Sequence, residues 1–467
     1  MNPILIGLFL YLVVVLVIGV KSAGKNRTQS DFLIADRKLG AWAIALSERA
    51  SGESAWLLIG LPGAALAVGF LEIWAAVGCV LGIIFSWLFI AVPLRELAGK
   101  YNSMTLPDLF ANYFNDETKS LRIISSLIIT FFFTFYVAAQ FNAAGKVLNV
   151  TFGIPQFTGM LIGAGIILLY TMLGGFRAVV WTDMVQAIIM FSTLVILPIV
   201  GLFELRHSGN NQLGSELMSL TAGKTGIWAF LAILGGLSWG FGYTGQPHLL
   251  ARFIAIKNSA EIRRGRIIAF SWAIPAFFGA FFMGIIGVTL YGAGKFTDPE
   301  SLMPFMATSL LPGWIAGILI SGAMAAMMST ADSQLLVTAS AISEDLIHKV
   351  GKRNLRPEKL LTISRTVTIS VGLIAFIMAY FSTDLVFTLV SYAWSGLGAS
   401  FGPVLLGIIY WKKITREGAI AGLLTGSLST IIWKNIDVLN SAVTERLSSY
   451  ILACLAIYGV SMLTSKK

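Results

Sequence analysis

The sequence predicts an all-α polytopic membrane protein. Of its 467 residues, 56% are hydrophobic and 12% are charged, with a mean hydropathy of +0.81. A soluble chain carries roughly twice that charged fraction. Apolar runs reach, one after another, the ~20 residues a helix needs to cross a bilayer. Lys and Arg are unevenly shared between the connections, as the positive-inside rule requires of a multi-span chain.

The net charge of +10 would suggest nucleic acid in a soluble protein. Here no basic tract is long or aromatic-interleaved enough for such a site, and the charge reads as that of cytoplasmic loops. Cys79 and Cys454 both sit in apolar runs, so a disulfide is not expected. The chain opens almost directly into an apolar run, with no basic region or small-residue cleavage site before Lys21. It reads as a first membrane helix, not a cleaved signal peptide.

Taken in order, thirteen spans are expected, at roughly residues 3–20, 40–66, 72–94, 121–148, 156–173, 184–203, 227–250, 266–290, 308–345, 363–382, 386–410, 417–433 and 447–463. The first is an uninterrupted apolar run. The second holds Glu48, Arg49, Ser51, Gly52, Glu53 and Ser54. Charges inside such a segment are costly and are usually kept for a bundle interior, a water path or an ion. Span 308–345 is too long for one simple crossing and requires tilt, a break or a helical extension. Loop 204–226 is rich in Gly, Ser and Asn and reads as irregular. Loop 291–307 favours a short surface helix after Pro299.

Charge placement orients these spans. With the N-terminus outside, 26 of the 33 Lys and Arg fall in inside segments and six in outside ones, while Arg49 lies within a span. That split supports an outside N-terminus, a cytoplasmic C-terminus and an odd number of spans. No GxxxxGK[ST] is present, which argues against an ATP-driven pump. No metal-spaced His and Cys cluster or G-x-S-x-G elbow stands out, and His207, His248 and His348 lie far apart, near expected membrane faces. An enzyme is not expected, nor a cofactor.

Two spans look interrupted. Span 40–66 carries Gly52 and Pro62, and span 227–250, five spans later, carries GGLSWGFGYTGQPH. Interrupted spans in corresponding positions point to an inverted-repeat transporter with the binding site at the breaks. The repeats would comprise spans 2–6 and 7–11, over residues 40–203 and 227–410. Ordinary close packing also favours Gly in membrane helices, and the pattern alone leaves that open.

A break frees carbonyls for a hard cation such as Na+, which takes oxygen ligands. Ala50 to Ser54 offers carbonyls beside the Glu53 carboxylate. Ala325 to Ser333 offers the carbonyl of Ala326 and the hydroxyls of Ser329 and Thr330, although membrane Ser and Thr often simply bond back to the preceding turn. Trp56, Tyr136, Gln140, Trp239, Tyr243 and Pro247 fall at spacings that would line a cavity for a small amphiphilic solute. Asp183 would cap the helix at 184–203 or draw cations along an exit route. Asp332 lies deeper and would need a basic partner such as Arg49.

Stretches SAWLLIGLPGAAL (54–66), TLPDLFANYF (105–114), LRIISSLIITFFFTFY (121–136), LYTMLGGFRAVVWTDMVQA (169–187), WGFGYTGQPHLLARF (239–253) and MSTADSQLLVTASAISEDL (328–346) resemble the sodium/solute symporter family, and most of all its bacterial sodium/proline members. The resemblance covers nearly the whole chain. It implies a LeuT-like core of two inverted five-helix repeats, preceded by one helix with its cytoplasmic loop in residues 1–39. An external loop at 204–226 joins the repeats, and two helices follow in 411–467. It implies import of a small organic solute, foremost L-proline, with Na+ across the bacterial cytoplasmic membrane by alternating access. Sialic acid, a sugar, pantothenate or a monocarboxylate is the alternative cargo.

Carried over by position, the Na+ site would use the carbonyls of Ala50, Glu53 and Ala326 and the hydroxyls of Ser329 and Thr330. Proline recognition would fall on Trp56, Tyr136, Trp239, Tyr243 and Pro247, with Ser54 and Asp183 on the cation path. One departure stands out. The acidic residue typical of the proline carriers falls on Gly52 here, and a carboxylate follows one position later, at Glu53. A one-residue shift turns a helical side chain by ~100°, and a protonatable Glu53 would permit partial H+ coupling. Glu48 and Arg49 replace small residues and would form an internal pair.

Overall fold

The structure is a computed structural model that describes residues 3–23, 34–208, 214, 216–351 and 356–465. Lys25, Arg27, Lys352, Arg353, Lys466 and Lys467, counted among the inside charges, lie outside the described residues, as does part of loop 204–226.

Among the described residues the regular structure is helical. The helices are α1 (Pro3–Ala23), α2 (Ala41–Gly52), α3 (Leu61–Val68), α4 (Ile73–Phe85), α5 (Ala91–Lys100), α6 (Leu106–Tyr113), α7 (Ser120–Phe152), α8 (Gln156–Ser208), α9 (Gly226–Leu237), α10 (Trp239–Gly242) and α11 (Pro247–Ala255). They continue as α12 (Ser259–Tyr291), α13 (Leu302–Leu310), α14 (Gly313–Ser340), α15 (Pro357–Phe381), α16 (Val386–Tyr410), α17 (Arg416–Lys434), α18 (Asp437–Ala442) and α19 (Glu445–Thr464). Single widened π turns, Trp56–Gly60 and Ser86–Ile90, lead into α3 and α5. A further π stretch, Ala341–Val350, extends α14.

Helix occupies the place of each expected span. By length and composition, eight stretches of the described residues would cross a membrane, or nine counting the pair α9–α10 and α11, bent by 43°. One of the eight, Trp56–Lys100, turns at Gly69, whose φ of +71° suits a residue without a Cβ. The segments Pro3–Ile18 and Gln156–Leu169 are shorter apolar helices.

Three boundaries differ from the sequence reading. Spans 156–173 and 184–203 are joined without a loop. The chain changes direction at Gly175 alone (φ 62°, ψ 175°), and helix resumes there instead of at residue 184. The long span 308–345 divides at Leu311–Pro312, because Pro312 starts a new helix; beyond Ser340 it extends as the π stretch. The helix expected after Pro299 is present, as a 3-10 segment Pro299–Ser301 followed by α13, but α13 is largely buried instead of lying on the surface and runs to Leu310, into the start of the next expected span.

These helices surround a continuous apolar core. The broken helix α2 packs on α8, α12 and α14, and α11 packs on α2 and α5. The backbone of α10 presses on α4 so closely that a Cβ on Gly240 would lie 2.4 Å from the Gly78 carbonyl oxygen. Small residues allow this approach where apolar attraction between membrane helices is weak. Polar ties hold the segments flanking the breaks. Lys257 N–H donates to Leu39 O (3.0 Å) beside an isolated bridge between Leu39 and Ile256. The Ala41 amide donates to Glu261 (2.8 Å), and Arg95 donates to Ile256 O (2.6 Å).

The two ends of α7 are also tied. Near its start, Arg122 bridges Asp108 (2.9 Å) and Asp345 (3.0 Å). Near its end, Lys146 reaches Glu300 (2.5 Å), whose carboxylate accepts the amides of Val386 (2.9 Å) and Phe387 (2.8 Å) at the start of α16. An anionic group at a helix N-terminus meets unpaired N–H groups and the positive end of the dipole.

Candidate functional site

Both breaks have local causes. Helix α2 ends where Gly52, a poor helix former, meets Glu53 (φ −102°, ψ 16°), and helix resumes at Ser54. Pro62, expected to help break this segment, instead lies in α3 just after the widened turn Trp56–Gly60, inside a continuous helical run. In the second broken segment, turns follow α10 until Gln246 (φ −79°, ψ 109°), and Pro247 begins α11. His248, on α11, is buried, and its Nε2 lies 3.2 Å from the Ser51 carbonyl oxygen. It therefore sits at the first break and not near a membrane face.

The first break faces α14 through oxygen atoms. Ser329 Oγ is 2.9 Å from the Ala50 carbonyl oxygen and 3.2 Å from that of Ala326. Thr330 Oγ1 is 3.0 Å from the Ser51 carbonyl oxygen, and Ser51 Oγ donates to Ser329 O at 3.1 Å. Ala50, Ser51, Ala326, Ser329 and Thr330 are thus gathered at one place between α2 and α14. Back-bonding accounts for one of the Ser329 contacts; the others run between segments about 280 residues apart, at separations of 278 and 279. Glu53 stands a turn away and turns its carboxylate elsewhere.

That carboxylate accepts Arg49 Nη1 (2.7 Å) and the hydroxyl of Tyr243 (3.0 and 3.1 Å). Arg49 also holds Glu48 through Nε (2.6 Å) and Nη2, and the Trp87 indole donates to Glu48 (3.1 Å). All three charged groups are buried. The expected Glu48–Arg49 pair is present and gains a third member. A Cβ on Gly52 would meet Leu249 at 3.2 Å, so position 52 faces α11 while position 53 faces Arg49 and Tyr243.

Asp183 does not cap a helix. It lies inside α8, eight residues beyond the kink at Gly175, and is buried. Its Oδ2 accepts Ser47 Oγ (2.6 Å), Ser51 Oγ (3.1 Å) and Arg252 Nη2 (3.1 Å). Arg252 Nη2 also reaches Ser51 (2.7 Å) and Ser333 (2.5 Å). Asp332 lies against Ser333 Oγ (3.2 Å), within the field of Arg252 and Asp183. Its basic neighbour is therefore Arg252, because Arg49 is committed to the two glutamates.

Apart from Tyr243, held at Glu53, the residues expected to line a cavity divide into three groups. Trp56 and Trp239 stack (centroids 4.6 Å apart, planes 11° apart), with Phe387 and Phe277 around them. Tyr136 lies with Ser54 (3.4 Å), and Gln140 accepts the Ala55 amide (3.1 Å) just before Trp56. Pro247 lies apart, lining a small cavity with Thr105, Phe176, Leu336 and Asp345. Trp394, missed from the sequence, donates to the Trp239 carbonyl oxygen (3.0 Å), and its ring meets Tyr243 (4.8 Å). Phe277, Phe387, Trp394 and Arg252 had no local signal beyond being aromatic or charged within an apolar run.

The sodium:solute symporter family model matches residues 32–426. The chain belongs to the sodium:solute symporter family. It is a transporter, not an enzyme, and Na+ is the coupling ion of its family. The symporter is 38% identical over 455 residues to the high-affinity proline transporter PutP of Bacillus subtilis, covering 96% of each chain. It is 37% identical over 474 residues to a sodium/proline symporter of Escherichia coli, covering 99% of this chain and 93% of that one. Among solved structures, a substrate-bound, outward-open Na+-coupled sialic acid symporter superposes with a TM-score of 0.77 at 18% identity, covering 99% of this chain and 98% of that one. MhsT in complex with L-phenylalanine superposes with a TM-score of 0.58 at 11% identity, covering 92% and 99%. The symporter thus shares the LeuT-like fold of these structures.

Proposed function

We propose that this symporter imports L-proline with Na+ by alternating access, with the cargo held between the two broken helices. The observation that carries the reading is their juxtaposition. An oxygen cluster at Ala50, Ala326, Ser329 and Thr330 draws Ala50 from the same broken segment as Trp56, which stacks on Trp239 of the second broken segment. Near-full-length identity to proline carriers favours proline among small solutes.

In this proposal the protein has thirteen spans, an outside N-terminus and a cytoplasmic C-terminus in a bacterial cytoplasmic membrane. Residues 40–203 and 227–410 form inverted repeats, framed by 1–39, the loop 204–226 and 411–467. Na+ takes the carbonyls of Ala50, Glu53 and Ala326 and the hydroxyls of Ser329 and Thr330. Its charge draws the end of α2 onto α14. Proline parts the Trp56–Trp239 stack, packs its ring against the indoles, and places its polar groups near Tyr136, Gln140 and the Glu53–Tyr243 pair. Pro247 lines the route beyond, and Ser54 and Asp183 serve the cation. Each ligand favours the same arrangement of the breaks, so each strengthens the other by linkage.

The test is binding and uptake in proteoliposomes. Raising Na+ lowers the apparent dissociation constant for proline, and Ser329→Ala with Thr330→Ala shifts the Na+ half-saturation upward by at least about tenfold, some 1.4 kcal/mol. Proline uptake indifferent to Na+ would sink the coupling. Competition by sialic acid, sugars, pantothenate or monocarboxylates, with no competition by proline, would replace the cargo.

A further inference from the structure

The stack of Trp56 on Trp239 has a third layer. Arg446, in the first turn of α19, places its guanidinium over the Trp239 ring, 4.6 Å from the centroid. Helix α19 lies outside both repeats and is assigned no transport residue by position. Yet α19 packs on α10, and Tyr450 meets Thr244 (2.9 Å between hydroxyls) and stacks on Phe241 (4.7 Å). The second broken helix is therefore held along this side by residues of α19.

Arg446 is itself held in place. It donates through Nη1 to Ser391 on α16, and Nη1 is 3.6 Å from Glu445. The Glu445 carboxylate accepts Ser391 (2.8 Å) and Ser395 (3.2 Å). Arg446 Nε is buried without a hydrogen-bond partner among the described residues, as is the indole N–H of Trp56. An unsatisfied buried donor is costly. Its retention is offset by the attraction of a planar cation to the indole face, which desolvation strengthens.

We propose that Arg446 is a positioning residue for substrate: anchored by Ser391 and Glu445, it fixes Trp239 at the angle that lets it cover the cargo with Trp56. The appended last helix then sets substrate affinity. This rests on the reading of Trp239 as a substrate contact. Lys cannot replace the planar stack, so Arg446→Lys recovers only part of the function.

The experiment compares the purified full chain with Arg446→Gln, Arg446→Lys, Trp239→Leu and the Arg446→Gln/Trp239→Leu double variant. One readout needs no substrate: hydrogen exchange of segment 238–246 and of 452–462 as an internal control. Arg446→Gln accelerates exchange in the first segment and leaves the second unchanged; an unchanged first segment, or equal acceleration of both, overturns the inference. The second readout is Na+-driven proline uptake. Arg446→Gln raises KM about five- to thirtyfold, the range for losing a desolvated cation–π contact, with maximal rate per inserted protein within about twofold. Arg446→Lys falls between, and the double variant adds nothing to Trp239→Leu. If Trp239→Leu raises KM and Arg446→Gln does not, the inference fails alone. If neither changes KM while exchange responds, the assignment of Trp239 to the proline site fails, and Arg446 keeps its hold on the ring.

Discussion

Glu53 shows how a single position acquires a role from distant partners. Its carboxylate is bound by Arg49 one turn earlier and by the hydroxyl of Tyr243, 190 residues later. With Glu48, the cluster formally carries one net negative charge in a buried setting. Substituting Glu53→Gln keeps the shape and removes that charge, leaving Arg49 paired with Glu48. Breaking a buried pair typically costs about 3–5 kcal/mol when a charge is stranded; here Glu48 remains, so the protein still inserts. We expect transport in proteoliposomes to fall at least about tenfold, equivalent to 1.4 kcal/mol at the transport barrier. Any dependence of uptake on external pH at saturating Na+ should vanish with the carboxyl. Equal pH dependence in wild type and variant would separate Glu53 from proton movement. The charge anomaly at 48–53 was visible in the sequence because ionised groups are rare in apolar runs. Which partners neutralise Arg252 was not, because those contacts cross between helices.

At the scale of elements, the two breaks were legible because Gly, Pro and polar residues interrupt apolar periodicity. The kink at Gly175 was not, since a lone glycine in a membrane helix usually serves packing, and a single residue at positive φ leaves no loop composition to read. Beside the second break, Gly242 lies against Trp394. A Cβ there would come 1.7 Å from Trp394 Nε1, the atom that donates to the Trp239 carbonyl oxygen. Gly242→Ala must therefore push the indole aside. Overpacking of this kind costs about 1–3 kcal/mol, and it breaks the tie between α10 and α16. The expected result is a lower unfolding temperature in detergent, with proline affinity reduced more than Na+ affinity. A variant with wild-type stability and affinity would show that Trp394 moves freely.

The whole molecule is held by polar ties between segments far apart in sequence. One lies in the connection before α7. Asp116 accepts the Thr118 hydroxyl (2.8 Å), the Leu121 amide (2.7 Å) and Arg416 Nε of α17 (2.8 Å). Burial works against its charge, but these donors and the guanidinium hold its carboxyl below the usual carboxylate range. A carboxyl depressed in the folded state stabilises above its unfolded pKa, about 3.9, and that contribution is lost as pH falls through the lower folded value. Wild type should therefore unfold at a higher temperature than Asp116→Asn at pH 6, and the gap should close below about pH 4. A gap that persists unchanged at pH 3 would assign the effect to packing.

The sequence by itself determined the class, the helical segments, the interrupted helices and the family. Hydropathy, charge bias and helix-breaking residues act on neighbours along the chain, and long matched stretches preserve their order. Tertiary structure decided which groups meet: Arg252 with Asp183 and Ser333, Glu53 with Tyr243, Trp394 with Trp239, and Arg446 over the same indole. These contacts join segments from 69 to about 200 residues apart. Their geometry depends on how whole helices cross and pack, which no stretch of sequence encodes alone.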